Sequence, residues 1–428
     1  MTHVLVQPPH SPIDALVEVP GSKSIANRAL VCALLAEGDS TISGLPDGDD
    51  TEVIVDILSQ SQQCMRLTRD SVVVKGSPIV RLPGILDARL AGTSSRFLTA
   101  VAALGDGTCI IDGGEPLRVR PMSELHEALQ TLGATVTPLG QVGYLPVSVT
   151  RGSLHGGNVS VRGDISSQFL SALMLIAPLL DGGLRIEVEG ELVSRSYVEM
   201  TARVMRQFGA VVQVSESVVV IAEGRYVSSD YVVEPDYSSA AFPLCAIAIA
   251  GGTVRIPYLA TASLQGDSAI IEILRHMGVE ISTEGNDIVA RRDSAHPLQA
   301  ITVNMADCSD LVPAVAVVCG CAEGQSVLSG IGFIRRKESD RLGDLAIELS
   351  KSGMRVSVES DGLRIDGGCN IGSADFDTHH DHRLAMALAL VALVAGKVTV
   401  ADPEVVTKSW PQYFDDMVSI LGATSIVY

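Results

Sequence analysis

Aromatic residues are scarce in this chain: Phe, Tyr and Trp make up 4% of 428 residues, with a single Trp. The core must therefore be built from Ala, Val, Leu and Ile. A hydrophobic share of 46% with 19% charged residues excludes a disordered chain. A cationic surplus is also missing. The net charge of −19 argues against nucleic acid or an acidic membrane surface as partner. A small anion remains open as a ligand, because a local cluster of Lys and Arg outweighs a distant field within a Debye length of ~8 Å.

No Cys-x-x-Cys pair occurs among the eight Cys, at 32, 64, 109, 245, 308, 319, 321 and 369. They read as reduced, mostly buried thiols, without a disulfide frame. The longest apolar run, Leu384 to Ala395, falls short of the ~20 residues of a membrane span and reads as a buried helix. Met1-Thr2-His3 begins neither a basic n-region nor an apolar h-region, so a cytoplasmic protein is expected.

What the chain does contain is repetition. Gly followed by a β-branched strand recurs at Gly38, Gly107, Gly183, Gly252, Gly324 and Gly396, about every 70 residues, longer than a solenoid rung. Amphipathic helices end at Leu132-Gly133, Phe208-Gly209, Met277-Gly278, Ser352-Gly353 and Leu421-Gly422, where Gly suits the left-handed cap. The first unit has no such Gly and runs through Gln60 to Gln63. Before each strand opening lies a helix apolar almost all round, which must be buried. Six such modules and this length predict an α/β protein of two domains, three modules each. The Pro and polar cluster of Val232 to Ser239 marks the hinge between modules three and four. The domains are placed at 21–235 and at 1–20 plus 236–428.

Polar motifs precede the helices. Pro20-Gly21-Ser22-Lys23-Ser24-Ile25-Ala26-Asn27-Arg28 puts two cations and small hydroxyls at the mouth of an apolar helix. There the unpaired N–H groups and the helix dipole favour phosphate or carboxylate. It is not a Walker A loop, because Ser22 and Val17 stand where that loop needs Gly. Its plainer reading is a capping Ser with solvated cations. Further motifs are Ala91-Gly92-Thr93-Ser94-Ser95-Arg96, Arg118-Val119-Arg120-Pro121, Ser166-Ser167-Gln168, Ser194-Arg195-Ser196-Tyr197, Arg335 to Arg341, Asp381-His382-Arg383 and Lys408-Ser409-Trp410-Pro411. Pro121 is expected at the first position of a helix and Lys408 at the opening of the last one. Arg118 and Arg195 read as surface charges. Asp236 and the Gln265-Gly266-Asp267 turn read as structural. Asp310 reads equally as a helix cap, and the His379-His380-Asp381-His382 run as a weak metal candidate.

The order and spacing of Pro-Gly-Ser-Lys-Ser, Ala-Gly-Thr, Arg-Pro-Met, Ser-Ser-Gln-Phe-Leu, Gln-Gly-Asp, Lys-Glu-Ser-Asp-Arg-Leu and Asp-His-Arg resemble the enolpyruvyl transferases, from about Pro20 to Tyr413. The resemblance is closest to the branch acting on shikimate 3-phosphate. It implies two similar inside-out α/β barrel domains, each of three βαβαββ modules, joined by a hinge. It implies transfer of the enolpyruvyl group of phosphoenolpyruvate to the 5-hydroxyl of shikimate 3-phosphate, the sixth step toward chorismate and the aromatic amino acids. Neither metal nor organic cofactor is implied. The partners are those two small molecules, with no nucleic acid and no membrane, and the protein is expected to be a monomer.

Carried over by motif, Lys23, Ser24, Arg28, Ser166, Ser167, Gln168, Ser194, Tyr197, Asp310 and Lys337 would contact shikimate 3-phosphate, mainly in the 21–235 domain. Lys23, Gly92, Arg120, Gln168, Arg341, Arg383 and Lys408 would hold phosphoenolpyruvate. Asp310 would be base toward the hydroxyl and Glu338 the donor at C3, a division of labour that two carboxylates in different environments allow. Lys23, Lys408 and His382 would assist, His382 by orienting a neighbour. Gly92 is expected to leave open space, which would admit inhibitors of the glyphosate type. Phe97, Leu90, Phe333 and Ser309 depart from the commonest family pattern and bear on inhibitor response and affinity. A sister branch acting on UDP-N-acetylglucosamine carries Lys-Asn where this chain has Lys23-Ser24, and a reactive Cys in the loop matching Gly113 to Arg120, where this chain has none. A non-catalytic relative would have lost Lys23, Asp310, Glu338 or Lys408, and all four are present.

Overall fold

Helices without a polar face have only the interior to go to, and six of them organise this protein. In the computed structural model, which describes residues 2–9, 11–259 and 263–427, they are Lys23–Leu35, Gly92–Ala102, Ser167–Ile176, Tyr237–Ala250, Val312–Cys321 and His382–Leu390. Every residue from Ile25 to Leu35 is buried, as is every residue from His382 to Leu390. The chain divides into two compact units, Gly21–Val233 and Met1–Pro20 with Glu234–Tyr428. In the first unit the Lys23, Gly92 and Ser167 helices pack on one another; in the second the Tyr237, Val312 and His382 helices do the same.

Among the described residues the strands form six sheets, all with one order of neighbours. In the second sheet Ile85–Asp87 runs parallel to Thr108–Asp112. That strand is antiparallel to Val147–Thr150, which is antiparallel in turn to Thr135–Pro138. One module is thus strand, buried helix, strand, second helix and hairpin, or βαβαββ. It starts one strand and one helix earlier than the Gly repeats suggest. Those Gly residues mark its central strand, where the chain leaves the buried helix. Three modules borrow a strand. Tyr226–Val227 and Tyr231–Val232 join Ala36–Ser43 in the first sheet. Asp14–Leu16 joins Gly252–Ile256, and His3–Gln7 sits between Val398–Ala401 and Ala423–Val427. Leu184–Glu189 alternates buried and exposed residues, as a sheet with one wet face must. Each unit is therefore inside-out, with helices at its centre and sheets around them.

The second helices stop at Gly133, Gly209, Gly278 and Gly353, with φ of 93°, 86°, 101° and 92°. In the first module Gln62 takes that place at φ 57°. The eight cysteines are free, and six are buried. Burial pushes the Cys32, Cys319 and Cys321 thiols up to about 12, which makes them inert. No helix among the described residues is long and apolar enough to cross a membrane.

Candidate active site

Apolar helices that converge on a unit's centre bring their N-terminal ends together, and the polar motifs ride on those ends. In the Gly21–Val233 unit, Lys23 is the first residue of its helix, after the buried cap residue Ser22. Ser22 makes no side-chain capping bond, so the plain capping reading fails. Lys23 Nζ donates to Asp50 Oδ2 at 2.9 Å. Asn27 Nδ2 donates to Ser94 Oγ at 3.4 Å, and Ser94 Oγ donates to the Asp50 carbonyl at 2.7 Å, which ties the Lys23 and Gly92 helices to Asp50.

Arg28 points the other way. Its guanidinium donates to Thr201 Oγ1 at 2.7 Å, the Ser24 carbonyl at 2.7 Å, Ser171 Oγ at 3.2 Å and the Tyr197 carbonyl at 3.4 Å. It lies over the rings of Phe97 and Tyr197. No acidic side chain pairs with it among the described residues, and burial pulls it down to about 10. A buried cation held only by neutral groups is prepared for an anion.

Arg96 Nη1 donates to Gln168 Oε1 at 2.6 Å and to the Gly92 carbonyl at 3.2 Å, joining the Gly92 and Ser167 helices. Ser166 caps the latter, its Oγ accepting from the Gln168 N–H at 3.3 Å. Ser194 precedes its helix in a left-handed conformation, φ 54°. A Cβ placed on Gly92 would stand 2.6 Å from Arg120 Nη1 and 2.9 Å from Arg96 Nη1. The space expected at Gly92 is thus closed by two guanidiniums. By these links the structure groups Gly92, Arg96, Arg120 and Gln168, sets Arg28 against Tyr197, and holds Lys23 on Asp50. It leaves Arg118 on Asp112 at the surface and Arg195 on Glu199. Pro121 does not open a helix, because the next one runs Ser123–Thr131 with Met122 before it.

The second unit gathers its charges around Arg341, whose side chain is 1% exposed. Its Nη1 donates to Asp310 Oδ1 at 2.8 Å, its Nη2 to Glu338 Oε2 at 2.8 Å and its Nε to Asp381 Oδ2 at 2.6 Å. Asp310 also accepts from Arg383 Nη2 at 3.0 Å and from Lys337 Nζ at 3.4 Å. Glu338 Oε1 accepts from Lys408 Nζ at 3.2 Å. Asp381 caps the His382 helix, accepting from the Arg383 N–H at 2.9 Å. His382 is buried with Nδ1 3.6 Å from Asp381 Oδ1.

Burial pushes the Asp310 carboxyl up, but Arg383, Lys337 and Arg341 outweigh it and hold Asp310 well below the usual carboxylate range. Burial lowers Lys337. Burial also acts to lower Arg341, yet Asp381, Glu338 and Asp310 raise it above its ordinary value. Asp310 is not a capping residue. It sits inside the short turn Ser309–Leu311, and its carboxylate faces cations. Lys408 closes the turn Pro403–Lys408, whereas the expectation had it opening a helix. The Arg335–Arg341 run likewise precedes its helix, which begins at Gly343. His379 is taken up by Glu348 at 2.9 Å, and among the described residues no group of three or more His, Cys, Asp or Glu is arranged to hold a metal.

Sequence reasoning passed over Asp50, Arg96 and Asp381 as site members. Asp381 and Arg96 lay inside quoted motifs. Asp50 lay in the acidic start of the helix Asp49–Gln60, which reads locally as dipole compensation.

The family profile of EPSP synthase (3-phosphoshikimate 1-carboxyvinyltransferase) matches residues 8–417. The 3-phosphoshikimate 1-carboxyvinyltransferase of Nostoc punctiforme is 37% identical over 409 residues, covering 94% of this chain and 95% of its own. That of Shewanella halifaxensis is 37% identical over 415 residues, covering 95% and 97%. Among solved structures, the EPSP synthase of Acinetobacter baumannii superposes with a TM-score of 0.84 at 24% identity, with full coverage of both chains. The enolpyruvyl transferase NikO of Streptomyces tendae gives 0.80 at 19%, over 100% and 99%. Over nearly its whole length, this chain belongs to the EPSP synthase (3-phosphoshikimate 1-carboxyvinyltransferase) family.

Proposed function

We propose that the protein transfers the enolpyruvyl group of phosphoenolpyruvate to the 5-hydroxyl of shikimate 3-phosphate by addition and elimination, releasing phosphate. The observation that carries this reading is the buried Arg341 fork, which holds Asp310 and Glu338 on its two Nη atoms. Attack by the hydroxyl needs a proton acceptor, and C3 needs a donor. Asp310 takes the first role. Its three cations suppress its basicity, and an anionic substrate that engages Arg383, Arg341 and Lys337 restores it. Glu338 takes the second role, with Lys408 at 3.2 Å to supply the proton it passes on.

Lys23, Gly92, Arg120, Gln168, Arg341, Arg383 and Lys408 bind the phosphate and carboxylate of phosphoenolpyruvate. The same charges then offset those that develop on addition. Arg28, Lys23, Ser24, Ser166, Ser167, Gln168, Ser194 and Tyr197, together with Asp310 and Lys337, take shikimate 3-phosphate. His382 orients its neighbour Asp381. The protein acts as a monomer in the cytoplasm.

A phosphate-release assay with phosphoenolpyruvate and shikimate 3-phosphate, run beside UDP-N-acetylglucosamine, tests the reading. Turnover with the sugar nucleotide alone would overturn it. Asp310→Asn is expected to lower kcat about 10²- to 10⁴-fold, the usual range for a lost general base.

A further inference from the structure

Asp267 lies on the short turn Gly266–Ala269, which packs against the Asp310 turn and the start of the Tyr237 helix. It is 3% exposed. Ser238 Oγ donates to its Oδ2, and its Oδ1 is buried with no hydrogen-bond partner among the described residues. Neighbouring Gln265 locks the turn in place. Its Nε2 donates to Glu234 Oε1 and to the Pro235 carbonyl, both at 2.8 Å, and its Oε1 accepts from the Tyr237 N–H at 3.0 Å.

A structural reading would make Asp267 a helix cap. That task is already done by Asp236, whose Oδ2 accepts from the Ser239 N–H at 3.0 Å and from Ser239 Oγ at 2.8 Å. A buried carboxyl with one satisfied oxygen is expensive as a cap and is stable as a neutral acid. The titratable and charged groups facing it are Asp310 and Cys308 from the Asp310 turn and its approach, Arg383 from the His382 helix, and Asp236 from the cap of the Tyr237 helix. Burial and the Asp310 charge push the Asp267 carboxyl up to about 7, against the pull of Arg383 and Ser238. Two carboxyls so placed titrate as a pair, with Asp310 ionised first.

We propose that Asp267 is a positioning residue for the transfer: a carboxyl set behind Asp310 and Arg383 whose charge state decides what those two present to substrate. This rests on the reading of Asp310 and Arg383 given above. With Asp267 neutral, Arg383 is free to leave Asp310 for an incoming anion. Once Asp267 ionises, a second carboxylate holds Arg383 back.

The test is kcat/KM for phosphoenolpyruvate against pH in the wild type, Asp267→Asn and Ser238→Ala. The wild type is expected to fall at least about threefold through an inflection near neutral pH. Asp267→Asn should lack that inflection while staying within about threefold of the wild type on the acid side. Ser238→Ala removes a donor that favours the ionised form, so its inflection should move to higher pH. A cap alone would lower stability in both variants and move neither profile. An active wild type without the inflection, or Asp267→Asn that retains it, overturns the proposal. An inactive wild type refutes the reading of the site instead. If Asp267→Asn does not fold, Ser238→Ala decides: a shifted inflection supports the proposal, and an unshifted one refutes it.

Discussion

Arg120 Nη1 stands 2.6 Å from where a Cβ on Gly92 would be. A methyl group at Gly92 would therefore meet the guanidinium ends of Arg120 and Arg96. Gly92→Ala must displace the far end of Arg120, and Arg96 as well, while the helix itself tolerates Ala. The expected result is a folded protein whose KM for phosphoenolpyruvate rises about 10- to 100-fold, as small misplacements of positioning groups do. Inhibition by glyphosate should weaken in parallel. Steady-state kinetics with and without the inhibitor checks both.

Arg341 serves three carboxylates with three different nitrogens. Lys can reach one of them. Arg341→Lys is expected to lower kcat/KM about 10²- to 10³-fold. Arg341→Met leaves Asp310, Glu338 and Asp381 without their shared cation, and burial makes that costly. A loss of about 3–5 kcal/mol in urea unfolding is expected. Unchanged stability in Arg341→Met would mean that solvent reaches these carboxylates.

The buried helices were legible because Lys23–Leu35 or Val312–Cys321 contains almost nothing that water would keep outside. The Gly stops were legible because Gly133 and its equivalents need positive φ. Residues 1–20 were expected to belong with the 236–428 half, but their strand partners were not legible, since His3–Gln7 carries no mark of which residues some 400 positions later it pairs with. Lys408 was read as a helix opening because charge near a predicted helix suggests a cap. In fact Lys408 answers Glu338, 70 residues earlier, and such a long-range partner has no local signature. Asp50 escaped for the same reason: its partner Lys23 is 27 residues away.

Gln62 occupies the left-handed position that glycine fills in four sister modules. The backbone bonds around it match theirs: Gln62 N–H to the Ser59 carbonyl at 3.0 Å, as Gly133 N–H to that of Gln130 at 3.0 Å. Its side chain is exposed and makes no compensating contact among the described residues. Gln62→Gly is expected to stabilise the protein by about 0.5–1 kcal/mol, the left-handed penalty less the entropy of a more flexible unfolded chain. Gln62→Ala, which keeps the penalty, should bring no such gain. Paired thermal melts at constant pH distinguish them, and activity should be unchanged in both.

His126 lies buried on the helix Ser123–Thr131, and its Nε2 has no hydrogen-bond partner among the described residues. Burial lowers it from 6.5 to about 4. Between those values the unfolded chain carries a proton here that the folded chain refuses. Folding stability is therefore full above about pH 6.5 and declines as pH falls to about 4, by about 2–3 kcal/mol from this residue alone. His126→Leu removes the titration while keeping an apolar body in place. Its stability relative to the wild type should improve steadily from pH 7 to pH 4 in urea melts, whatever its value at pH 7. A difference that stays constant over that range would show that His126 is protonated as readily in the folded protein as in the unfolded chain.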